Sequence, residues 1–257
     1  MIDATFNNKI KKPLISVITV VYNGSKTCEK TIKSVINQTY DNVEYIIIDG
    51  GSTDGTLDII EKYEDKIDYW ISEKDSGIYD AMNKGIKVAN GDWIYFLGAD
   101  DILFDVLDDL FKELDIEKNA VYGDAYVPKQ HKLYNGKFTK FKLFFNNICH
   151  QAIFYNKKVF QNRQFDLKYK FLSDYAFNIS IFDEKKFKYV PIMIANYNDI
   201  DGRSSRIYDL NFKSDKLSLI KHFGKFYFLM FYAYKKLILL LHVLRLKSIV
   251  RKVLLKK

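Results

Sequence analysis

Two adjacent carboxylates, Asp100 and Asp101, close the run "GDWIYFLGADD". Like charges at the end of an apolar strand repel each other and are costly to desolvate, so the pair needs something to face. Magnesium and manganese suit oxygen donors. Mg²⁺ takes one or two protein carboxylates, with phosphates and water completing its shell. Neighbouring side chains on an extended backbone point to opposite sides. On that reading one carboxylate holds a ribose hydroxyl and the other meets a divalent cation, Mn²⁺ or Mg²⁺. Asp49 ends a second apolar run, "NVEYIIIDGG", several residues before any helix it could cap. A carboxylate there can accept an N–H or O–H from a base or ribose.

Other residues carry two readings. Asp80 is four residues before Lys84 on a helical pattern, which makes it either an i,i+4 ion-pair partner or a ligand contact. Asn83 lies at the boundary of the apolar and polar faces of that pattern. Thr53 and Asp54 read as helix caps. His150 and Gln151 either reach an acceptor or diphosphate, or are structural. Arg203, beside Ser204 and Ser205, is either an exposed loop arginine or a lid over a diphosphate, for which a bidentate guanidinium is suited. Ser173 reads as a cap, with Asp174 a first-turn acid favoured by the helix dipole.

The elements that must position these groups alternate. "ISVITVV", "NVEYIIID", "KIDYWIS" and "DWIYFLG" read as strands. "TCEKTIKSVINQ", "TLDIIEKYE" and "GIYDAMNKGIKVA" read as the helices between them. Such alternation predicts a parallel three-layer α/β sheet, whose ligands bind beyond the carboxyl ends of the strands. Asn23, Asp49, Asp75, Asp100 and Asp101 all fall at those ends. Further on, "AVYGDAYVP", "FTKFKLFF", "ICHQAIFY" and "FKYVPIMIANYN" read as strands, and "SDYAFNISIF" as a helix. Beyond Gly202 the chain reads as helical.

Composition narrows the class. At 257 residues, with 48% hydrophobic and 28% charged side chains, the chain is long and apolar enough for a cored domain. Two cysteines without a CxxC or Cys/His cluster exclude a disulfide framework and structural zinc, and fit a reducing cytosol. No signal-peptide layout is apparent, and no apolar run is long enough to span a membrane. The net charge of +8 is uneven. Residues 211–257 carry twelve Lys or Arg against Asp215, so the preceding 210 residues sum to −3. An acidic body with a basic aromatic tail does not describe a nucleic-acid binder. It fits a peripheral contact with anionic lipid, or helices packing on the body.

"ISVITVVYNG", "VINQTYDNVEYIIIDGGSTDGT", "SEKDSGIYDAMNKGI", "GDWIYFLGADD", "ICHQAIF" and "FLSDYAFNI" together resemble a family 2 glycosyltransferase of the GT-A fold, in order and spacing across residues 14–182. The pattern is most similar to bacterial enzymes of capsule, exopolysaccharide or O-antigen synthesis. The resemblance implies a GT-A catalytic domain over residues 1–205, a Rossmann-like α/β/α layering with a mostly parallel sheet. Residues 206–257 would then form a basic amphipathic helical tail. It also implies an inverting, metal-dependent transfer from a nucleotide-sugar, with UDP the expected nucleotide, to a saccharide acceptor that is lipid-linked. The enzyme would sit on the inner face of the cytoplasmic membrane. Tyr22 and Asn23 would lie beside the nucleotide, Asp49 on its base, and Asp100 and Asp101 at the DxD-equivalent position, with Asp101 the metal ligand. Asp174 would be the catalytic base. Apart from the resemblance, Asp80 and Asn83 are candidate nucleotide-sugar contacts. Relatives often carry two acids where this chain has Asp49-Gly50. The rival readings are a sugar nucleotidyltransferase and a non-catalytic peripheral membrane protein. "YNGSKT" lacks the glycine- and arginine-rich loop that a triphosphate needs.

Overall fold

The computed structural model describes residues 12–128, 131–134, 136–198 and 209–254. They fall into two compact units, divided between Asp209 and Leu210.

The first unit is built on one sheet in the order β3-β2-β1-β4-β8-β6-β9-β5, with β7 added against β6. Its first half comprises β1 (Ile15–Val21), β2 (Val43–Asp49), β3 (Tyr69–Ser72) and β4 (Trp93–Gly98), all mutually parallel. β1 is buried along its whole length, which is why it reads as an unbroken β-branched run rather than an alternating one. Register pairs Val21 with Asp49, Asp49 with Ser72, and Val20 with Gly98. The four carboxyl ends therefore form one level edge.

Helices α1 (Cys28–Ile36), α2 (Thr56–Lys62) and α3 (Ile78–Val88) make the crossovers. α3 packs on β1 and β2. It approaches so closely that a Cβ on Gly85 would stand 2.5 Å from Ile18 Cγ2.

The second half of the sheet is mixed. β5 (Ile102–Leu103) and the short α4 (Leu107–Leu110) follow the turn after β4, and β5 pairs antiparallel with β9 (Phe187–Asn196). β8 (Ile153–Asn156) runs antiparallel to β4 and to β6 (Ala120–Val127), and β6 runs parallel to β9. β7 (Lys132–Tyr134) forms a hairpin with β6. Pro191 is exposed within β9, whose pairing to β6 is irregular between Tyr122 and Ala125. Such a break is where a residue without an N–H is tolerated.

Two expected strands differ. "FTKFKLFF" holds a helix, α5 (Lys140–Phe145). Thr139 caps it by accepting a hydrogen bond from the Lys142 N–H, and Phe141 meets Phe145 one turn on, with ring centres 5.1 Å apart. The alternation Lys-Phe-Lys-Leu imitates a strand, but the local cap decides. "ICHQAIFY" begins as a 3₁₀ turn over His150–Ala152 and becomes a strand only at Ile153. α6 (Ser173–Ile181) is the helix read from "SDYAFNISIF".

The second unit contains α7 (Leu210–Leu219) and the 30-residue α8 (Lys225–Leu254), separated by a turn with Gly224 at φ +99°. Phe226, Leu229, Tyr232, Tyr234 and the whole run Leu237–Leu241 are exposed on α8. Among the described residues no helix is long and apolar enough to cross a membrane.

Candidate active site

A cleft of about 750 Å³ opens along the carboxyl edge of the parallel strands. Its wall includes Tyr22, Asn23 and Lys26 after β1, Asp54 after β2, and Asp75 and Asp80 around the start of α3. The turn after β4 adds Asp100 and Asp101. The second half of the sheet contributes His150 and Gln151, and later loops add Tyr169, Lys170, Tyr197 and Asn198.

The loops after β1 and β2 are stitched together. Asn23 takes a left-handed backbone, φ +52°, which asparagine tolerates. Its N–H donates to Ser52 Oγ at 2.7 Å, and its Oδ1 accepts from the Thr53 N–H at 2.9 Å. Asp54 accepts from the Ser25 N–H and from both the N–H and hydroxyl of Thr56. Asp54 thus ties the loop ahead of α2 while Gly55 occupies the cap position. Thr53, the other expected cap, is exposed and donates to Asn23 instead. The stitched loops hold Tyr22, 54% exposed, as an aromatic face beside the cleft.

Asp49 does not face that cleft. It is 0% exposed, and its carboxylate accepts from the N–H groups of Gly51 and Ser52 and the hydroxyls of Ser52 and Ser72. Four internal donors make it the organiser of the β2 loop. Beside it, a Cβ on Gly50 would stand 2.5 Å from Asp75 Oδ2. The Asp75 carboxylate therefore occupies the space a side chain at position 50 would need, and it lines the cleft.

Asp80 lies on the wall, where its Oδ2 accepts from the Ser76 N–H at 3.0 Å. The i,i+4 pair with Lys84 is replaced by an ion pair from Lys84 to Glu73 at 2.8 Å. Asn83 is buried away from the wall. Its amide donates to the Phe165 carbonyl and accepts from the Phe165 N–H, both at 2.9 Å. The donor contact expected of Asn83 gives way to a structural clamp.

Asp100 and Asp101 do not diverge as strand neighbours. β4 ends at Gly98, and the Asp101 N–H donates to the Gly98 carbonyl, closing a turn. Both carboxylates fold over Gly98. A Cβ there would lie 2.5 Å from Asp101 Oδ2 and 3.2 Å from Asp100 Oδ1. Asp101 is 1% exposed; its Oδ2 accepts from Gln151 Nε2 and its Oδ1 from the Asn198 N–H, each at 2.8 Å. Burial, with the neighbouring Asp100 charge, pushes its carboxyl up to about 7, against the pull of those two hydrogen bonds and of His150. Asp100 is the more exposed of the two. Asp100 is the outer carboxylate and Asp101 the inner one, and both line the cleft.

Antiparallel pairing of β8 with β4 explains how residue 151 reaches residue 101. The segment just before β8 must arrive at the end of β4, and the Tyr95 hydroxyl anchors it by donating to the Gln151 carbonyl at 2.8 Å. Gln151 is 3% exposed and holds Asp101; its Oε1 accepts from Cys149 Sγ. It supports Asp101 from the cleft wall.

His150 stands on the wall with its side chain 21% exposed, and its Nδ1 is 3.7 Å from Asp174 Oδ2. Burial alone would depress the imidazole, but Asp174, Asp101 and Asp100 outweigh it and raise its pKa. Asp174 itself is 5% exposed and set behind the wall. Its Oδ1 accepts from the Tyr79 hydroxyl and its Oδ2 from Asn147 Nδ2, both at 2.7 Å. Burial and the Asp174 charge raise the Tyr79 phenol well above its ordinary value. Ser173 does not cap α6: Leu172 holds that position, and the buried Ser173 hydroxyl has no hydrogen-bond partner. Arg203 lies outside the described residues.

Tyr79, Asn147 and Lys170 were not singled out by sequence reasoning. Tyr79 offered a signal, a tyrosine in the first turn of an amphipathic helix that starts at the strand edge. Asn147 and Lys170 offered none. Among the described residues, no group of three or more His, Cys, Asp or Glu is arranged to hold a metal by itself. Two hard carboxylates over a glycine nevertheless fit a divalent cation that draws its remaining ligands from phosphate and water.

The same architecture recurs in solved structures. Staphylococcus aureus TarS (residues 1–349, in complex with UDP-GlcNAc) superposes with a TM-score of 0.67 at 18% identity, over 80% of this chain and 65% of that one. This chain thus spans a little under two-thirds of that structure. The mannosyltransferase PcManGT of Pyrobaculum calidifontis, in complex with GDP-Man and Mn²⁺, gives 0.57 at 14% identity over 72% and 56%. The fold is GT-A-like.

Sequence similarity reaches further. A PGL/p-HBAD biosynthesis glycosyltransferase of Mycobacterium tuberculosis is 34% identical over 212 residues, 78% of this chain and 82% of its own. TuaG of Bacillus subtilis, named for teichuronic acid biosynthesis, is 46% identical over 94 residues, about a third of each chain. The model of glycosyl transferase family 2 matches residues 16–190, and the chain belongs to that family.

Proposed function

We propose that this glycosyltransferase moves a sugar, with inversion, from a nucleotide-diphosphate donor to a hydroxyl of a lipid-linked saccharide in cell-surface polysaccharide synthesis. The observation that carries the reading is the pair Asp100 and Asp101 folded over Gly98 at the floor of a cleft along the strand ends. The names of the mycobacterial relative and of TuaG support the cell-surface assignment. The donor named for TarS makes UDP the nucleotide we propose.

The base lies against Tyr22, with Asn23 holding the loop and Asp75, in place of Asp49, accepting an N–H or O–H from the nucleoside. Asp80 lines the same cleft. Asp100 holds a divalent cation, with Asp101 behind it, fixed by Gln151 and Asn198. When bound, that cation supplies positive charge opposite the departing diphosphate. Lys26 and Lys170 on the wall add charge of the same sign. Asp174, held in place by Tyr79 and Asn147, is the base that takes the proton from the acceptor hydroxyl. Holding donor and acceptor together supplies much of the acceleration.

The second unit supports a peripheral attachment. α8 exposes Phe226, Leu229, Tyr232 and Leu237–Leu241 alongside Lys225, Lys235 and Lys236, a combination that suits the interface of an anionic bilayer on its cytoplasmic side. The test is a transfer assay over a panel of nucleotide-sugars with Mn²⁺ and with chelator. Release of UDP that depends on acceptor and metal is the expected result. Pyrophosphate release from a sugar-1-phosphate and a nucleoside triphosphate would replace the proposal with a nucleotidyltransferase.

A further inference from the structure

Helix α5 turns its phenylalanines outward. Successive residues of an α-helix are about 100° apart around the axis, which puts Phe141 and Phe145 on the face opposite Leu143. Leu143 is fully buried, and its carbonyl accepts from the Tyr175 hydroxyl. Phe141 is therefore 54% exposed and Phe145 38%, with ring centres 5.1 Å apart. Phe144, half-buried, meets Phe145 at 4.8 Å. Single exposed apolar side chains are ordinary, but three touching aromatic rings on one six-residue helix form a patch.

The charge around the patch indicates what covers it. The first 210 residues sum to −3, yet the stretch from Ala125 to Phe165 holds eight Lys or Arg and no acid. Lys132 on β7 and Lys137 in the turn ahead of α5 are exposed, and Lys140 opens the helix. That turn is built and tied to the helix. The Gly136 N–H donates to Asp124, and Lys142 Nζ donates to the Gly136 carbonyl at 3.2 Å while lying 4.3 Å over the Phe138 ring. Two acids from elsewhere reach the segment, Asp124 and Glu184, and they accept from the backbone N–H groups of Gly136 and Lys140. The outward side thus combines aromatic rings with lysines.

We propose that α5 and the turn before it dock on an anionic lipid surface. Phe141 and Phe145 enter the interface, and Lys132, Lys137 and Lys140 meet the headgroup phosphates. This contact belongs to the first unit and is distinct from the attachment through α8. A second copy of the chain is a poorer occupant, because a two-fold contact would set the same lysines against each other. On the transferase reading above, the location also serves catalysis. Asn147, two residues beyond α5, donates to Asp174 Oδ2 at 2.7 Å and accepts from Asn178. A bilayer held against α5 presents its lipid-linked saccharides close to the proposed base.

The test uses the full chain with vesicles of phosphatidylglycerol and phosphatidylcholine. Phe145→Trp adds a local reporter to the two natural tryptophans, Trp70 and Trp93, whose emission in the wild type is the background. Lipids brominated near the headgroup should quench the added emission at least about twofold, as an aromatic ring within the interface requires. Lys137→Glu with Lys140→Glu should lower the vesicle partition coefficient at least about tenfold, and Phe141→Ala with Phe145→Ala should also lower it. Melting temperatures report whether each variant is folded; if a double variant is not, quenching of Phe145→Trp decides. Added emission untouched by brominated lipid while the chain is vesicle-bound through α8 would overturn the proposal. So would equal partitioning of the charge-reversed and wild-type chains, or a dimer in solution that Phe141→Ala with Phe145→Ala converts to monomer. Thermal stabilisation by UDP with Mn²⁺ is read separately: its absence in the wild type would overturn the transferase reading and leave the lipid contact standing.

Discussion

Gly98 lies directly beneath Asp101, so close that a methyl group on its Cα would stand 2.5 Å from Asp101 Oδ2. Because Asp101 is buried and held by Gln151 and Asn198, Gly98→Ala must displace both carboxylates at the cost of those hydrogen bonds. We predict a lowered melting temperature, corresponding to a destabilisation of about 1–3 kcal/mol as buried donors lose their acceptor. Metal-supported nucleotide binding should fall at least about tenfold, roughly 1.4 kcal/mol. Calorimetry with UDP and Mn²⁺ checks both; unchanged affinity would show that the pair does not shape the donor site.

Asp49→Asn separates a loop organiser from a nucleotide contact. Four donors converge on the carboxylate, and the amide removes the charge and one acceptor oxygen. Leaving buried donors unpaired costs about 1–3 kcal/mol each, so urea denaturation should show a destabilisation of that order. A variant as stable as wild type but weak in nucleotide binding would restore Asp49 to the base.

Asp101 gives stability a pH dependence whose sign follows from its burial. Its folded pKa of about 7 lies above the ordinary value near 3.8. Between roughly pH 4 and 7 the native state therefore holds a proton that the unfolded chain has released. This group's contribution to stability is full below that window and declines as pH rises through it. Asp101→Asn should remove the decline. The difference in unfolding free energy between variant and wild type, measured from pH 4 to 8, should move in favour of the variant as pH rises. A pH-independent difference would contradict the inner-carboxylate assignment.

The lipid contact proposed for α8 is electrostatic in part. Lys225→Glu, Lys235→Glu and Lys236→Glu together reverse three charges, each worth about 1 kcal/mol near an anionic surface. The full chain should float with phosphatidylglycerol vesicles at low salt and less so at high salt, and the triple variant should remain behind. Equal flotation of both proteins would remove the tail from the interface.

The parallel half of the sheet was legible because its central runs β1, β2 and β4 are largely buried and each is followed by a glycine-bearing turn, which allows few alternatives. The family motifs brought the correct rim together. Side-chain direction at that rim was not legible. Asp49 turns inward and Asp75 outward because of how two loops fold against each other. Asp100 and Asp101 converge because a turn, and not a strand, carries them. Asn83 and Asp101 find their partners at Phe165, Gln151 and Asn198, pairings set by the second half of the sheet. α5 was misread because four residues alternate like a strand while the deciding cap is a single threonine.

The most direct test is equilibrium binding of UDP-sugars and GDP-sugars to the wild type and to Asp100→Ala, each with Mn²⁺ and with EDTA. We predict that one nucleotide-sugar class binds the wild type in a metal-dependent way and that Asp100→Ala loses that dependence. Absence of binding to the wild type under every condition, or identical metal-dependent binding by the variant, would contradict a donor site built on the strand-end acids.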